Sequence, residues 1–294
     1  LLIYIEYYQI KYIVDWKDLN LKFTTTCLAI VSVVVLIVTP FGYALEIVQV
    51  TGSSTVMPIA ARSAELFNNN QKDIRVTVTG GGSGHGIEAV ATGKADIGMA
   101  SRDVTASEIE RFGDRFVEHV IAKDAVAVVV SSDIYNAGVT NLTKEEIRRI
   151  FNGEIRNWSE VGGPNRWIAV IVRKPGSGTR DTFMEAIFGT ALAKENGQDV
   201  AVSENAEMMM NIVNKKNAIG YISVGYLNEN VKAIAIDGVL PTEENIYNGS
   251  YPISRNLYFY TYGDPLPKTQ KFISFVLSPK GQKIVEEEGY LPVD

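Results

Sequence analysis

The stretch Ile74-Arg75-Val76-Thr77-Val78-Thr79-Gly80-Gly81-Gly82-Ser83-Gly84-His85-Gly86-Ile87-Glu88-Ala89-Val90 decides the fold. A β-branched run passes into three glycines, a serine and another glycine, then into a helical pattern. It reads as a strand, a tight loop and a helix N-terminus. Such a turn exposes backbone N–H groups and a hydroxyl at the positive end of a helix, where an anion is the natural guest. Thr51-Gly52-Ser53-Ser54-Thr55 and Pro175-Gly176-Ser177-Gly178-Thr179 repeat the arrangement, each between a strand-like run and a helical pattern. The short apolar run Ala95–Ala100 delivers Ser101-Arg102-Asp103 to its carboxyl end. Any one such loop reads equally as a turn, because Gly and Ser suit positive φ and capping. Three of them, with Ser101-Arg102, at strand carboxyl ends mark the crevice in which open parallel sheets bind ligands.

Outward from these loops, strands alternate with helices along the chain, so the class is α/β with mainly parallel sheets. Glu46–Val50 reads as the first strand, followed by a helix carrying Val56, Ile59, Ala60, Ser63 and Phe67, with Pro58 tolerated in its first turn. Thr105–Glu108 and Thr143–Glu146 are capping boxes by spacing. Ala125–Val130, Trp167–Val172 and Ala218–Ile222 read as buried strands, Ser203 as a helix start, and Asn256–Thr261 as a late strand. Ser278-Pro279 places Ser at N-cap and Pro at N1 of a final helix. The chain is expected to cross after Val130 and to return after Gly225. This gives a discontinuous first domain of 45–130 plus 226–294 and a second of 131–225. Trp158 and Trp167 read as core anchors.

The 294 residues are 46% hydrophobic and 21% charged with a net charge of −6, enough for a sizeable core and about two domains. Three basic and three acidic side chains offset one another in residues 1–44, so the acidity belongs to the remainder. An acidic body without a basic stripe argues against nucleic acid. It leaves a small anion open, because local dipoles decide that contact. One cysteine, Cys27, excludes a disulfide framework, and two histidines, His85 and His119, make no metal centre. No metal or cofactor is expected.

Lys22 precedes the apolar run Cys27–Val38, and Pro40 and Gly42-Tyr43-Ala44 follow. A basic residue, an apolar core of about a dozen residues and small residues at the end are the parts of a secretory signal. The run is short for a membrane span, which needs ~20 apolar residues. Residues 1–44 are thus expected to be a leader and signal, cleaved near Ala44 or kept as an anchor. Residues 1–21 read as a mis-set start or a leader without function.

Catalytic motifs fail on inspection. Gly81 and Gly86 have phosphate-loop spacing, but Ile87-Glu88 stands where Lys-Ser/Thr is needed. The dinucleotide pattern is met only at Gly84–Ala89, a match that glycine-rich loops produce by chance. A hydrolase elbow needs Gly two before and two after the serine; Ser83 has Gly81 before but His85 after, and Ser177 has Pro175 and Thr179. His85 beside Ser83 is the one motive for an enzyme of phosphate esters, with no metal set or base–nucleophile pair to support it.

Gly52–Thr55, Gly80–Gly84, Ala95–Arg102, Arg173–Asp181, Ile150–Gly153 with Asn157-Trp158, and Leu277–Gln282 together resemble the phosphate-binding proteins of ABC transporters, the PstS family. The likeness runs in order over roughly residues 46–294. It implies a two-domain periplasmic-binding-protein fold with two chain crossings and a ligand cleft between domains. It also implies extracytoplasmic capture of inorganic phosphate by a monomer, delivery to a membrane permease, and no enzymatic activity. Carried over by position, Ser54, Thr55, Ser83, Ser101, Arg102, Arg173, Ser177, Gly178 and Thr179 are the expected anion contacts. Many relatives have aspartate where Arg102 stands, and some have an acid where Pro175 stands. Those acids accept the proton of HPO₄²⁻ and so reject sulfate. Asp103, Asp181 or a backbone carbonyl must do that here, or another tetrahedral oxyanion, such as sulfate, tungstate or molybdate, is the ligand.

Overall fold

The computed structural model describes residues 45–293. The expected leader and signal of residues 1–44 lies outside the described residues. No helix among the described residues is long and apolar enough to cross a membrane.

The first lobe opens with β1 (Glu46–Gly52), α1 (Met57–Asn70), β2 (Ile74–Gly80), α2 (Ser83–Ala91), β3 (Ile97–Ala100) and α3 (Ala106–Phe112). The long strand β4 (Phe116–Val130) then leads into α4 (Ser132–Asn136), β5 (Asn141–Leu142), α5 (Lys144–Asn152), β6 (Ala169–Arg173) and α6 (Gly178–Phe188). There follow β7 (Val200–Val202), α7 (Asn205–Asn214), β8 (Ala218–Ser223), β9 (Lys232–Ala233), β10 (Ala235–Ile236) and α8 (Glu243–Tyr247). β11 (Ser254–Tyr262) returns to the first lobe, and α9 (Pro267–Val276) and α10 (Pro279–Glu287) close it.

Both capping boxes form in each direction, at Thr105/Glu108 and Thr143/Glu146, and Ser278 caps α10 through Gly281 N. The helix expected from Ser203 begins at Asn205 instead, because Glu204 is extended, with φ −133° and ψ 162°, and serves as its N-cap.

One sheet runs in the order β2-β1-β3-β11-β4-β8-β6-β7, with β9 also on β4. Each flank is parallel as expected: β1 with β2 and β3, β6 with β7 and β8. The joining pairs β3–β11, β11–β4 and β4–β8 are antiparallel, so the sheet as a whole is mixed.

Separate cores underlie the two lobes. Val48, Val50, Ile59, Phe67, Ile97, Met99, Leu257, Phe259 and Phe272 fill the first, with Phe67 edge-on to Phe272 at 5.5 Å. In the second, alternate residues of β4 serve both faces. Val126, Val128 and Val130 pack with Phe151, Trp158, Phe183 and Tyr221, and Ala127 and Val129 with Met208 and Ile212. Period-two alternation in a strand covered on both sides produces this division.

The cores change over between Ala122 and Ala125 in β4, and between Ile253 and Leu257 on entering β11. The expected crossings, after Val130 and after Gly225, are displaced. Val126–Val130 and the apolar side chains Val231, Ile234, Ile236, Ile246, Tyr251 and Ile253 are all buried in the second lobe's cores. Trp158 is a core anchor. Trp167 is not: it is 53% exposed, with the Arg156 guanidinium over its ring.

Candidate functional site

Helices α1, α2 and α6 begin at the carboxyl ends of β1, β2 and β6, and their N-termini converge. At the first, Ser54 and Thr55 are buried and Ser53 Oγ accepts from Thr55 N at 3.2 Å. Tyr226 and Tyr290 donate to the Ser54 and Thr55 carbonyls at 2.8 and 2.7 Å, fixing the turn from behind. At the second, Gly86 lets α2 press onto the sheet. A Cβ there would stand 2.5 Å from the Met99 carbonyl and 2.9 Å from that of Thr51. This approach brings Ser83 Oγ to Ser101, where it accepts from the backbone N at 3.0 Å and lies 3.3 Å from Oγ. At the third, Ser177 caps α6 by accepting from Arg180 N at 3.3 Å.

Contacts between the lobes join these loops. Gly84 N donates to the Gly176 carbonyl at 3.1 Å. Thr55 Oγ1 and Thr179 Oγ1 are 3.0 Å apart. A Cβ on Gly178 would lie 2.3 Å from Ser83 Oγ and 2.6 Å from Ser101 Oγ. Arg173, 2% exposed at the end of β6, donates through Nη2 to Ser54 Oγ at 3.2 Å and to the Ser203 carbonyl at 2.7 Å. Its Nη1 donates to Asn205 Oδ1 at 2.8 Å, and its Nε has no partner. Burial pushes the guanidinium down to about 10, which leaves it cationic at neutral pH. Tyr221 accepts from Arg173 N at 3.0 Å and donates to Glu195 at 2.7 Å, which pins the backbone behind the charge.

Eight of the nine expected residues therefore come together: Ser54, Thr55, Ser83, Ser101, Arg173, Ser177, Gly178 and Thr179. Arg102 does not join them. Its Nε donates to Asp181 at 2.8 Å, and Nη1 and Nη2 each donate to Glu108 at 2.8 Å. It ties the lobes together from outside the hydroxyl cluster and lines a groove of about 650 Å³ with Asp181, Glu185 and Tyr258. Asp103 accepts from Tyr258 at 2.5 Å, so both aspartates considered as phosphate-proton acceptors are engaged elsewhere. Arg102→Ala is expected to weaken oxyanion binding about tenfold in a calorimetric titration. The pair lies between an exposed one, worth ~1 kcal/mol, and a buried one, whose rupture costs ~3–5.

Residue-by-residue reading missed Asn205 and Arg255. Asn205 Nδ2 donates to Thr55 Oγ1 at 2.9 Å, and Arg255 Nη2 reaches Thr179 Oγ1 at 3.1 Å. Neither sits in a glycine loop, and only the approach of distant elements brings them in.

The chemistry of the cluster is one-sided. Ser54 Oγ accepts from Arg173, Ser83 Oγ from Ser101 N, Ser177 Oγ from Arg180 N and Thr55 Oγ1 from Asn205. A hydroxyl already accepting has its own O–H left to give. With helix N-termini and two guanidinium groups alongside, the site offers donors to something rich in acceptors. His85 is exposed, and no hydrogen bond joins it to Ser83.

Two lobes with a buried cluster of hydroxyl and guanidinium donors between them have the architecture of a solute-binding protein of the two-domain α/β class. The sequence model of the PBP superfamily domain matches residues 39–280. The phosphate-binding protein PstS of Bacillus subtilis is 34% identical over 247 residues, 83% of this chain and 80% of its own. PstS of Borreliella burgdorferi is 34% identical over 258 residues, covering 84% and 90%. A putative phosphate ABC transporter substrate-binding protein from Clostridium perfringens, solved with bound phosphate, superposes with a TM-score of 0.78 at 34% identity, over 85% of this chain and all of that one. The chain belongs to the PBP superfamily and, within it, to the family of PstS phosphate-binding proteins.

Proposed function

We propose that this protein is an extracytoplasmic binding protein that captures inorganic phosphate for an ABC importer. The observation that carries the reading is the buried cluster of Ser54, Thr55, Ser83, Ser101, Ser177 and Thr179, drawn from both lobes and turned donor-outward around Arg173. The names of the relatives, phosphate-binding proteins and phosphate transport receptors, point the same way. Micromolar capture needs about 8 kcal/mol. A charge-assisted hydrogen bond contributes ~1.5–3, so a handful of these donors suffices after lobe closure.

Only the closed form brings both sets of donors to one ligand, so the ligand selects that form. The closed form is what the permease is to recognise, and the protein acts as a monomer without catalysis. The lobes meet at Ala122–Ala125 and Ile253–Leu257. An N-terminal signal within residues 1–44 exports the chain. Calorimetry of the full chain with phosphate, sulfate, tungstate and molybdate tests this. Phosphate is expected to bind in the micromolar range or tighter, and no heat with any of the four overturns the reading. Sulfate is the informative competitor, because no carboxylate among the described residues is hydrogen-bonded directly to the cluster's hydroxyls.

A further inference from the structure

Arg255 stands opposite Asp124 in the register of β11 and β4, where the chain passes from one core to the other. Its Nε and Nη2 both donate to Asp124 Oδ2, at 2.8 and 2.7 Å, and Ser223 donates to Oδ1 at 2.8 Å. The carboxylate is fully buried, and the arginine side chain is 5% exposed.

A guanidinium is planar, with five N–H donors in a fixed fork. With its Nε–Nη2 edge on Asp124, the Nη1–Nη2 edge must face another way. That way is shown by Nη2, which also reaches Thr179 Oγ1 at 3.1 Å and Thr55 Oγ1 at 3.4 Å. Nη1 lies on this same edge, is buried, and has no partner. The ion pair with Asp124 accounts for Nε and half of Nη2. It does not account for an unpaired cationic donor kept out of water, which is costly unless something fills its place. Arg173 Nε is the other orphaned guanidinium nitrogen among the described residues. Both belong to arginines bonded to the same hydroxyl cluster.

We propose that Arg255 is a second anion-binding guanidinium of this site, presented from the hinge strands by Asp124. It rests on the oxyanion reading above and deepens it. Thr55 belongs to the first lobe and Thr179 to the second, so the edge that Arg255 offers lies at their meeting point and is completed only on closure. Two guanidinium groups against one carboxylate leave one net positive charge beside the cluster, suited to a tetrahedral dianion that the helix N-termini also attract.

The test is a phosphate titration of the full chain, unchanged and as Arg255→Gln and Arg255→Lys, with circular dichroism as the check on folding. Arg255→Gln is expected to weaken phosphate binding about a hundredfold. Arg255→Lys keeps the charge for Asp124 but loses the fork, and is expected to weaken it about tenfold. In the unchanged chain, ¹⁵N-edited spectra should show the guanidinium resonances of Arg255 shifting with phosphate, a readout that a purely structural ion pair would not move. Affinity within twofold in folded Arg255→Gln, or Arg255 resonances that stay put at saturation while those of Arg173 move, overturns the proposal. If Arg255→Gln does not fold, the lysine variant and the spectra decide. Failure of the unchanged chain to bind any of the four oxyanions overturns the oxyanion reading itself. Phosphate binding with indifferent Arg255 variants overturns only the role of Arg255.

Discussion

Arg173→Ala is expected to lose about a thousandfold in phosphate affinity while the unliganded protein melts no lower than before. The affinity loss follows from what the guanidinium has to give. Its Nη atoms are bonded to Ser54, Ser203 and Asn205, and Nε is unpaired. An anion taking one or two charge-assisted bonds from this fork gains ~1.5–3 kcal/mol from each, and each ~1.4 kcal/mol is tenfold. The stability expectation follows from the cost of the empty state. Burial drives the Arg173 guanidinium down to about 10, so the fold with its lobes together and no ligand carries a cation that is costly to bury. Removing that cation strands the Asn205 and Ser203 acceptors, which a water in the vacated space can satisfy. Calorimetry and a thermal melt check both halves. Unchanged affinity would remove Arg173 from the site.

The site was legible where its chemistry is local. Ser54, Ser83, Ser101 and Ser177 each follow a strand and precede or abut a helix, so backbone geometry alone places them at one edge of the sheet. The partners of the cations were not legible. Arg102 lies in a loop that resembles a ligand loop, but carboxylates six and 79 residues away claim it. Arg255 sits at the start of an aromatic strand, and its neighbour Asp124 is 131 residues distant. Only register between β4 and β11 brings the two together.

The fold divides in the same manner. The glycine loops and capping boxes announced their helices. The first half of β4, Phe116–Asp124, mixes Glu118, His119 and Lys123 with apolar residues and carries no clear period. It is a strand because β11 pairs along it, which is tertiary context overriding a weak local signal. Residues 231–253 hold only the two-residue strands β9 and β10 and the short α8, yet their isoleucines complete the second core. Trp167 was misplaced because its indole reads as an anchor, whereas Arg156 covers it at the surface.

These particulars bear on how closure is driven. The hydrogen bonds between lobes include Arg173 to Ser54, Asn205 to Thr55, Thr55 to Thr179, Gly84 to Gly176, Tyr226 to Ser54 and Arg102 to Asp181. Polar contacts of this kind give back on closing little more than they lose from water. The balance between open and closed forms is then set by whatever satisfies the remaining O–H and guanidinium donors. A ligand that does so only in the closed form moves the equilibrium by its differential affinity and no more.

That dependence makes Gly178→Ala the sharpest test of closure. Gly178 is the first residue of α6, behind the Ser177 cap, and its φ is not in the left-handed region. Alanine therefore suits the helix and should raise the stability of the unliganded, open protein by about 0.4–1 kcal/mol through the unfolded state. In the closed form the added methyl would stand 2.3 Å from Ser83 Oγ, 2.6 Å from Ser101 Oγ and 3.0 Å from Ser83 Cβ. Ser83 Oγ is not free to swing clear, because it is held by Ser101 N. The lobes must stop short, and Thr55 and Thr179 can no longer share a ligand. Phosphate affinity is expected to fall at least about a thousandfold, the scale of losing two or more charge-assisted bonds. Small-angle scattering should show no compaction on adding phosphate where the unchanged chain contracts. Full affinity together with normal contraction would mean that α6 does not meet the serines when ligand is bound, and the cradle would have to be assembled another way.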